Sequence, residues 1–274
     1  MWIGSPLRGA FRLLSYLLLT LVLLPIYLLA MALGIRPVTR WMPLAYHRFV
    51  CVILGIKVRV HGKRSDVTPT LYVCNHVSYL DIEILGGLVP GSFVAKAEVA
   101  TWPFFSTLAK AQRTIFIERS SGKTSRSRDE MMKRLNTGDN LMLFPEGTSS
   151  DGTRVLPFRS ALFGVAQLRR DDKPITVQPV AISYTRLDGI PLGRYWRPLF
   201  AWFGDLDLVP HLWQMVCLGE TEAVVTFFPP VDIDRIGDRK KLAEYCFRQV
   251  SFGVQSANSG RLELLPPPPR PSPI

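Results

Sequence analysis

Hydrophobic side chains dominate the first 56 residues of the chain. Residues 13–33 (LLSYLLLTLVLLPIYLLAMAL) contain no charge. At about 1.5 Å rise per residue they would form a helix of roughly 30 Å, about one hydrocarbon thickness, with an expected kink at Pro25. A cleavable signal peptide fits poorly because no small-residue cleavage site follows the run. A buried helix of a soluble protein is disfavoured because the run is apolar on every side. The pattern therefore predicts a membrane-embedded helix.

A second, shorter apolar run at residues 42–56 predicts another helix. Arg8 and Arg12 precede the first run and Arg36 and Arg40 follow it, so the positive charges give no orientation across a bilayer. We favour a re-entrant or interfacial hairpin of two helices, with a single transmembrane span as the alternative. Residues 1–56 are thus predicted to anchor the protein to a membrane.

From residue 57 onwards, short β-rich runs alternate with helix-like stretches. The predicted strands cover residues 57–61, 71–74, 92–96, 114–118, 140–144, 175–184 and 222–231. The predicted helices cover residues 79–88, 97–111 (broken near Pro103), 125–135, 160–169 and 239–254. This alternation is typical of βαβ units. It predicts an α/β fold over residues 57–257, with a mostly parallel central sheet flanked by helices.

Two segments fall outside this alternation. Residues 186–216 form an insertion rich in Trp, Pro and Arg, a mixture that suits a membrane-interface surface. A packed lid explains the insertion almost as well. Residues 258–274 are rich in proline and are expected to form an extended, mobile tail.

Charge and composition narrow the classes of partner. The 33 Lys and Arg residues outnumber the 22 Asp and Glu residues, for a formal net charge of +11, which suits nucleic acid or an anionic membrane surface. The hydrophobic content of 47% favours the membrane, and without an RNA- or DNA-binding motif no nucleic acid is expected. The four cysteines and the histidines are scattered without metal-ligand spacing, so no metal is expected.

The apolar pattern breaks at residues 72–83 (YVCNHVSYLDIE), where a predicted strand ends. If His76 lies in the loop and Asp81 in the first helical turn, the carboxylate can hold the imidazole in one tautomer and make it a general base. Taken alone, a capping Asp beside an unrelated His is the more common explanation. Ser78 is a poor candidate nucleophile because no GxSxG elbow surrounds it.

A second polar loop follows a predicted strand in residues 141–152 (LMLFPEGTSSDG). Gly147 permits a tight turn that can aim backbone N–H groups into a pocket. Glu146 would orient a hydroxyl or hold the loop. By itself, the segment fits a turn without chemistry equally well.

Four reactive side chains end or follow predicted strands: His76, Lys96, Arg119 and Glu146. In parallel sheets, ligands bind at the carboxyl ends of the strands. We therefore expect these side chains to converge on one site.

Taken together, these segments resemble the glycerolipid acyltransferase family, which includes 1-acyl-sn-glycerol-3-phosphate acyltransferases. NHVSYLD at residues 75–81 and FPEGTSS at residues 144–150 are similar to its NHxxxxD and FPEGTxS blocks. RTIFIER at residues 113–119 and VQPVAI at residues 177–182 resemble two further blocks. The resemblance extends over about residues 57–232, and four blocks in the same order make it specific.

The resemblance implies an O-acyltransferase that needs no cofactor. His76, oriented by Asp81, would deprotonate a lysolipid hydroxyl, which would attack the thioester carbonyl of acyl-CoA or acyl-carrier protein. Arg119 would bind the phosphate of the acceptor. The residues that the resemblance assigns to substrate binding are Lys96, Arg119, Glu146, Gly147, Thr148 and Arg159. Such an enzyme would act on a membrane lipid, at the cytoplasmic face of the inner (plasma) membrane.

The chain departs from the family pattern in the loop after residue 144. Ser149 stands where the family often has an arginine that could hold phosphate. Either Arg154 or Arg159 replaces that charge, or the acceptor is not lysophosphatidic acid. We favour lysophosphatidic acid slightly over lyso-ornithine lipid and other lysolipids. A membrane-bound hydrolase of lipids or thioesters and a non-enzymatic scaffold are the alternatives from other classes.

Overall fold

The computed structural model describes residues 3–96, 100–101, 105–117 and 124–267. The helices are α1 (Pro6–Ala32), α2 (Arg36–Leu54), α3 (Leu80–Gly86), α4 (Phe105–Ala111), α5 (Thr124–Asn136), α6 (Leu208–Cys217), α7 (Ile233–Ile236) and α8 (Arg239–Asn258). The strands are β1 (Ile56–His61), β2 (Thr70–Cys74), β3 (Ser92–Lys96), β4 (Ile115–Ile117), β5 (Leu141–Leu143), β6 (Arg169–Arg170), β7 (Lys173–Pro174), β8 (Thr176–Leu187), β9 (Ile190–Pro191) and β10 (Thr221–Phe227). Short 3₁₀ helices cover Ser160–Gln167, Arg197–Phe200 and Leu262–Leu264.

The central sheet has the strand order β1-β10-β8-β2-β5-β3-β4, and β9 extends it by pairing with β8. Strands β8, β2, β5, β3 and β4 are parallel to one another, whereas β10 is antiparallel to β8 and carries β1 with it. The predicted mostly parallel sheet is therefore confirmed. Strand β2 lies at its centre and β5 beside it, so the loops that follow these two strands leave the sheet side by side.

Both faces of the sheet are covered, which explains why β2 is apolar without alternation. Tyr72 and Cys74 point to one side, where α2, α3 and α6 pack, and Leu71 and Val73 point to the other, where α5 and α8 pack. All four side chains are at most 2% exposed. The centre of the sheet is thus a rigid support for the loop that follows β2.

The predicted N-terminal pair of apolar helices is confirmed. Helix α1 continues through Pro25, and it is long and apolar enough to cross a bilayer. Helix α2 begins at Arg36, six residues before the start of the predicted run at residues 42–56, because Pro37 occupies a first-turn position where its missing N–H costs nothing. The exposed apolar side chains of the two helices are Leu7, Phe11, Leu14, Leu17, Leu18, Leu21, Val22, Ile26, Leu28, Leu29, Met31, Trp41, Phe49 and Val52.

The second anchor helix docks onto α3 through polar contacts. His47 Nδ1 lies 2.7 Å from Glu83 Oε2, and the Arg48 guanidinium donates a 2.8 Å hydrogen bond to the carbonyl of Gly87. A Cβ atom at Gly86 would lie only 2.5 Å from the His47 ring, so the close approach requires glycine. Helix α2 therefore packs directly against the helix that begins just after the loop of His76.

Two predicted elements differ from the structure. The helix expected at residues 160–169 is a 3₁₀ helix ending at Gln167, because Gly164 weakens α-helix formation and the chain then enters the β6–β7 hairpin. The strand expected to reach residue 231 ends at Phe227, since prolines at positions 229 and 230 cannot donate to a ladder.

The expectation of an extended, mobile tail is wrong for residues 258–267. Leu265 is only 6% exposed and packs against Val224 and Ala257. The N–H of Gly62 donates a 2.8 Å hydrogen bond to the carbonyl of Pro267. These residues thus cover the edge of the sheet near β1 and β10, and residues 268–274 lie outside the described part.

Candidate active site

The loop after β2 is held to the neighbouring strand by an asparagine side chain. Asn75 Nδ2 donates to the carbonyl of Ile182, and Asn75 Oδ1 accepts from the N–H of the same residue, at 3.0 and 2.9 Å. The side chain thereby satisfies a β8 peptide where the main-chain pairing with β2 has ended. This fixes the start of the loop and the position of His76.

The predicted pairing of His76 with Asp81 is present. His76 Nδ1 lies 2.8 Å from Asp81 Oδ2, and the N–H groups of Val77 and Ser78 donate to the same oxygen at 2.7 and 2.9 Å. The loop conformation of His76 lets it meet a carboxylate in the first turn of α3, as expected. With Nδ1 donating to Asp81, Nε2 is left as the basic nitrogen, and the His76 side chain is 23% exposed while Asp81 is fully buried.

A fourth donor to Asp81 was missed by the sequence analysis. The Tyr184 hydroxyl donates to Asp81 Oδ1 at 2.8 Å. Burial, with the neighbouring Asp81 charge, raises the pKa of Tyr184 well above its usual value, so the phenol stays a donor. In the sequence, Tyr184 looks like an ordinary aromatic residue at the end of a core strand. The one indication of its role is that β8 pairs with β2, the strand that precedes His76.

An aromatic stack connects His76 to an interior cavity. The His76 ring stacks on Phe144 at 4.3 Å between centroids, and Phe144 stacks on Phe93 at 6.3 Å. Phe93 lines a cavity of about 180 Å³ between α1, α2, α3, β3 and α4. Its walls are largely apolar, including Leu23 and Leu108. The apolar walls can accept an alkyl chain on the far side of the rings of Phe93 and Phe144 from His76.

Glu146 holds two loops together. Its Oε1 accepts from the N–H of His76 and its Oε2 from the N–H of Leu156, both at 2.9 Å. Glu146 is only 2% exposed. Burial raises its pKa to about 8 despite these two donors, which favour the ionised form. These two hydrogen bonds agree with the expected role of Glu146 in holding the loop.

The other residues of this loop lie near the surface. Gly147 has φ +70°, a left-handed conformation, and its N–H closes a turn onto the carbonyl of Phe144. The Arg159 guanidinium packs over it, 3.0 Å from where a Cβ of Gly147 would lie. Arg159 is exposed and forms no ion pair with the described residues, as is also true of Arg154. Thr148 lies beside them, partly exposed.

The structure describes only part of the two basic residues, Lys96 and Arg119, that were expected near the site. Lys96 ends β3 opposite Ile117 of β4, at the same edge of the sheet as the His76 loop, but its side chain lies outside the described residues. Arg119 also lies outside the described residues. The structure thus brings together His76, Asp81 and Glu146, with Arg159 close by.

Comparisons with known proteins agree with this geometry. A family model described as Acyltransferase matches residues 57–183. The chain is 42% identical over 264 residues to the lyso-ornithine lipid O-acyltransferase of Rhizobium meliloti (strain 1021), covering 95% of this chain and 89% of that protein. It is 44% identical over 226 residues to the enzyme of the same description from Brucella abortus (strain 2308), covering 81% and 85%.

Relatives that are named for a phosphate-bearing lysolipid are less similar to the chain. The chain is 33% identical over 200 residues to the 1-acyl-sn-glycerol-3-phosphate acyltransferase of Neisseria meningitidis serogroup B, covering 72% of this chain and 74% of that protein. The crystal structure of the 1-acyl-sn-glycerophosphate acyltransferase from Thermotoga maritima superposes with a TM-score of 0.64 at 20% identity. The match covers 91% of this chain and 97% of that chain, which shows a shared fold.

Proposed function

The chain belongs to the acyltransferase family, as an enzyme that acylates lysolipids, and from this premise we propose that its acceptor is lyso-ornithine lipid. The observation that carries the proposal is the higher identity to lyso-ornithine lipid O-acyltransferases, 42% and 44%, than to the phosphate-directed enzyme at 33%. This reverses the slight preference for lysophosphatidic acid drawn from the sequence. The serine at position 149 agrees with an acceptor that has no phosphate.

The proposed reaction is a direct acyl transfer. His76 Nε2 takes the proton from the acceptor hydroxyl as its oxygen attacks the thioester carbonyl of the donor. An ester C–O bond forms, the C–S bond breaks, and the imidazolium returns the proton to the departing thiolate. Asp81, held by its four donors, keeps His76 in the tautomer with a free Nε2 and stabilises the imidazolium. No residue of the protein carries the acyl group.

The interior cavity is proposed to hold the acyl chain of the donor. It is largely apolar, and the stacked rings of Phe93 and Phe144 connect its wall to His76. Burying methylene groups there contributes about 0.8 kcal/mol each. A chain placed in this way would extend past the rings of Phe93 and Phe144 to bring its thioester carbonyl to His76.

The head group is proposed to meet the surface formed by Gly147 and Arg159. Ornithine carries a carboxylate and an ammonium group, and the Arg159 guanidinium can bind the carboxylate in a bidentate manner. Thr148 is within the same turn and adds a hydroxyl. Arg119, which the resemblance assigned to the phosphate of the acceptor, is proposed instead to bind anionic parts of the donor together with Lys96, since coenzyme A and acyl-carrier protein are both acidic.

The enzyme is proposed to act at the cytoplasmic face of the inner (plasma) membrane. Association with a membrane is supported by the exposed apolar faces of α1 and α2 and by relatives that act on lipids. Acyl-CoA and acyl-carrier protein are cytoplasmic thioesters, so the site must face that compartment. The proposed chemistry uses neither a metal nor a cofactor.

The experiment that tests the proposal offers the purified protein in detergent one labelled acyl thioester and three acceptors. These are lyso-ornithine lipid, lysophosphatidic acid and lysophosphatidylcholine, each assayed with acyl-CoA and with acyl-carrier protein, and in the presence of EDTA. We expect the diacyl product from lyso-ornithine lipid, unaffected by EDTA and absent with the His76→Ala variant. A preference for lysophosphatidic acid would contradict the proposed acceptor. Release of free fatty acid without transfer would indicate a hydrolase.

A further inference from the structure

Helix α6, at the end of the aromatic insertion, is fixed to the start of α1. The N–H of Ser5 donates to the carbonyl of Cys217 at 2.9 Å, and the Arg12 guanidinium donates at 2.8 Å to a carbonyl just beyond the end of α6. A Cβ atom at Gly9 would clash with the Cys217 sulfur and lie 3.5 Å from the Trp213 ring, so glycine lets the two helices come close. The position of α6 is therefore set by α1.

The two faces of α6 point in opposite directions. Trp213 and Cys217 lie on the face that meets α1, whereas His211 and Met215 are buried on the face towards the catalytic domain. Val209 comes four residues before Trp213 and shares the face towards α1. Helix α1 does not cover it, because Val209 is 74% exposed. Val209 thus faces outward, beside α1.

The outer side of α1 carries an exposed apolar stripe. Its side chains recur every three or four residues, which places them on one helical face: Leu7, Phe11, Leu14, Leu18 and Leu21. Gly9, which meets α6, is two positions from Leu7 and from Phe11 and therefore lies about 200° around the helix from each. Going outward from the catalytic domain, the order is α6, then α1, then the stripe. Since packed helices lie about 8–10 Å apart, Val209 is about one helix diameter nearer to the catalytic domain than the stripe.

We propose that residues 203–209 form a third membrane contact, which lies in the head-group layer while the stripe of α1 reaches the acyl chains. Because α6 is packed on α1, a bilayer that receives the stripe must also approach this segment. Its apolar side chains Phe203, Leu206 and Val209 are exposed. Asp205 and Asp207 between them are exposed as well, a mixture that suits the polar boundary of a bilayer and not its core. The partner is a lipid surface, whichever lysolipid the enzyme acylates.

This contact places the loop of the candidate base at the lipid surface. The N–H of Trp202, next to the segment, donates to the carbonyl of Val77 at 3.0 Å. On the inner face of α6, His211 forms a 3.0 Å hydrogen bond with the Tyr79 hydroxyl. The segment that meets the head groups is therefore bonded to the loop that carries His76, so that an acceptor hydroxyl can reach the base without leaving the head-group layer.

The test measures the depth of single labelled cysteines in the full-length protein, reconstituted in phosphatidylcholine vesicles. The four native cysteines are buried, so a thiol-reactive fluorophore should label only an added cysteine. Val209→Cys examines the proposed contact and Leu18→Cys the stripe of α1. Phe252→Cys is the matched control, since Phe252 is an exposed apolar residue of α8, on the other side of the sheet. Lipids that carry a quencher at the head group or at the chain end serve as shallow and deep quenchers.

We expect the label at position 209 to be quenched most by the shallow quencher, and to lie about 10 Å shallower than the label at position 18. The label at position 252 should not be quenched. Equal depths at positions 209 and 18 would overturn the inference. A label at position 209 that is shielded from water but not quenched by either lipid would also overturn it and indicate a protein partner. An unquenched label at position 18 would overturn the membrane anchor of the proposed function as well, so the two failures are distinguishable.

A second measurement compares acyl transfer to lyso-ornithine lipid in vesicles and in detergent micelles, with Val209→Glu and the control Phe252→Glu. Position 209 is in the first turn of α6, where a carboxylate is compatible with the helix. For Val209→Glu we expect a rate about tenfold lower in vesicles, since a valine side chain no longer enters the lipid, and an unchanged rate in micelles. An equal loss in both would overturn the inference. The depth measurement does not depend on the acceptor, so it decides the inference even if lyso-ornithine lipid is not the substrate.

Discussion

The Tyr184 hydroxyl bonds to Oδ1 of Asp81, the carboxylate oxygen that His76 does not use. Oδ2 receives His76 and two main-chain N–H groups, so both oxygens are occupied and the carboxylate cannot rotate. Because Tyr184 lies on β8 and Asp81 on α3, the sheet itself fixes the orientation of the catalytic pair. We therefore propose that Tyr184 is a positioning residue, acting on His76 through Asp81.

Replacing Tyr184 with Phe should lower kcat about tenfold, since one hydrogen bond of about 1.5 kcal/mol to a charged group is lost. The acceptor KM should not change. Tyr72→Phe is the matched control, because Tyr72 is buried in β2 without a contact to Asp81. An unchanged kcat in Tyr184→Phe, or an equal loss of kcat in Tyr72→Phe, would contradict this role.

His76→Ala should reduce acyl transfer by about 10²–10⁴-fold, the usual contribution of a general base. Asp81→Asn should also lower kcat strongly, because an amide in that position favours the wrong tautomer of His76. Both should leave the binding of the acyl donor intact, which equilibrium binding of a non-hydrolysable thioester analogue can show. His61→Ala provides a control at a histidine that bonds to Pro266, away from the loop. If His76→Ala retained acyl transfer, the proposed general-base mechanism would be wrong.

Glu146 should make folding stability depend on pH. Its pKa is raised by burial to about 8 in the folded protein, above its ordinary value of 4.5. A carboxyl that binds its proton more tightly when folded contributes its full stability below about pH 4.5 and loses that contribution as the pH rises towards 8. Melting temperatures of wild type and Glu146→Gln, compared from pH 4.5 to 8, should show the wild type losing stability relative to the variant. If the difference between the two melting temperatures did not change with pH, this prediction would be wrong.

Arg159→Ala should raise the acceptor KM about tenfold with little change in kcat, if the guanidinium over Gly147 binds the head-group carboxylate. Arg154→Ala is the comparison, since Arg154 is a nearby exposed arginine of the same loop. Steady-state kinetics at varied acceptor concentration would give the acceptor KM of each variant. If Arg154→Ala raised this KM more than Arg159→Ala, Arg154 would be the residue that binds the carboxylate.

Much of the site could be predicted because its residues are close in sequence to the ends of buried strands. The pairing of His76 with Asp81 joins a loop residue to a carboxylate five positions later in the first turn of α3, and the neighbouring position of Glu146 follows from two adjacent parallel strands. Such arrangements are local or follow from sheet order, so pattern and topology suffice to find them.

The remaining contacts could not be predicted because they join positions far apart in the chain without a local signature. Tyr184 meets Asp81 across 103 residues, and Ser149 meets Trp202 across 53. Both depend on how strands and insertion are arranged in space, and their side chains have ordinary structural uses. The 3₁₀ helix at Ser160–Gln167 was missed for a different reason, since helical periodicity alone does not separate it from an α-helix.

The close packing of α2 on α3 has a geometric consequence for an enzyme that works on lipids. Glycine at position 86 lets His47 lie against α3, and the contact of His47 with Glu83 joins α2 to the helix that carries Asp81. If α1 and α2 anchor the protein in a membrane as proposed, this packing sets the distance of His76 from the lipid. The depth at which the two helices insert would then determine which hydroxyl along a lipid comes level with His76.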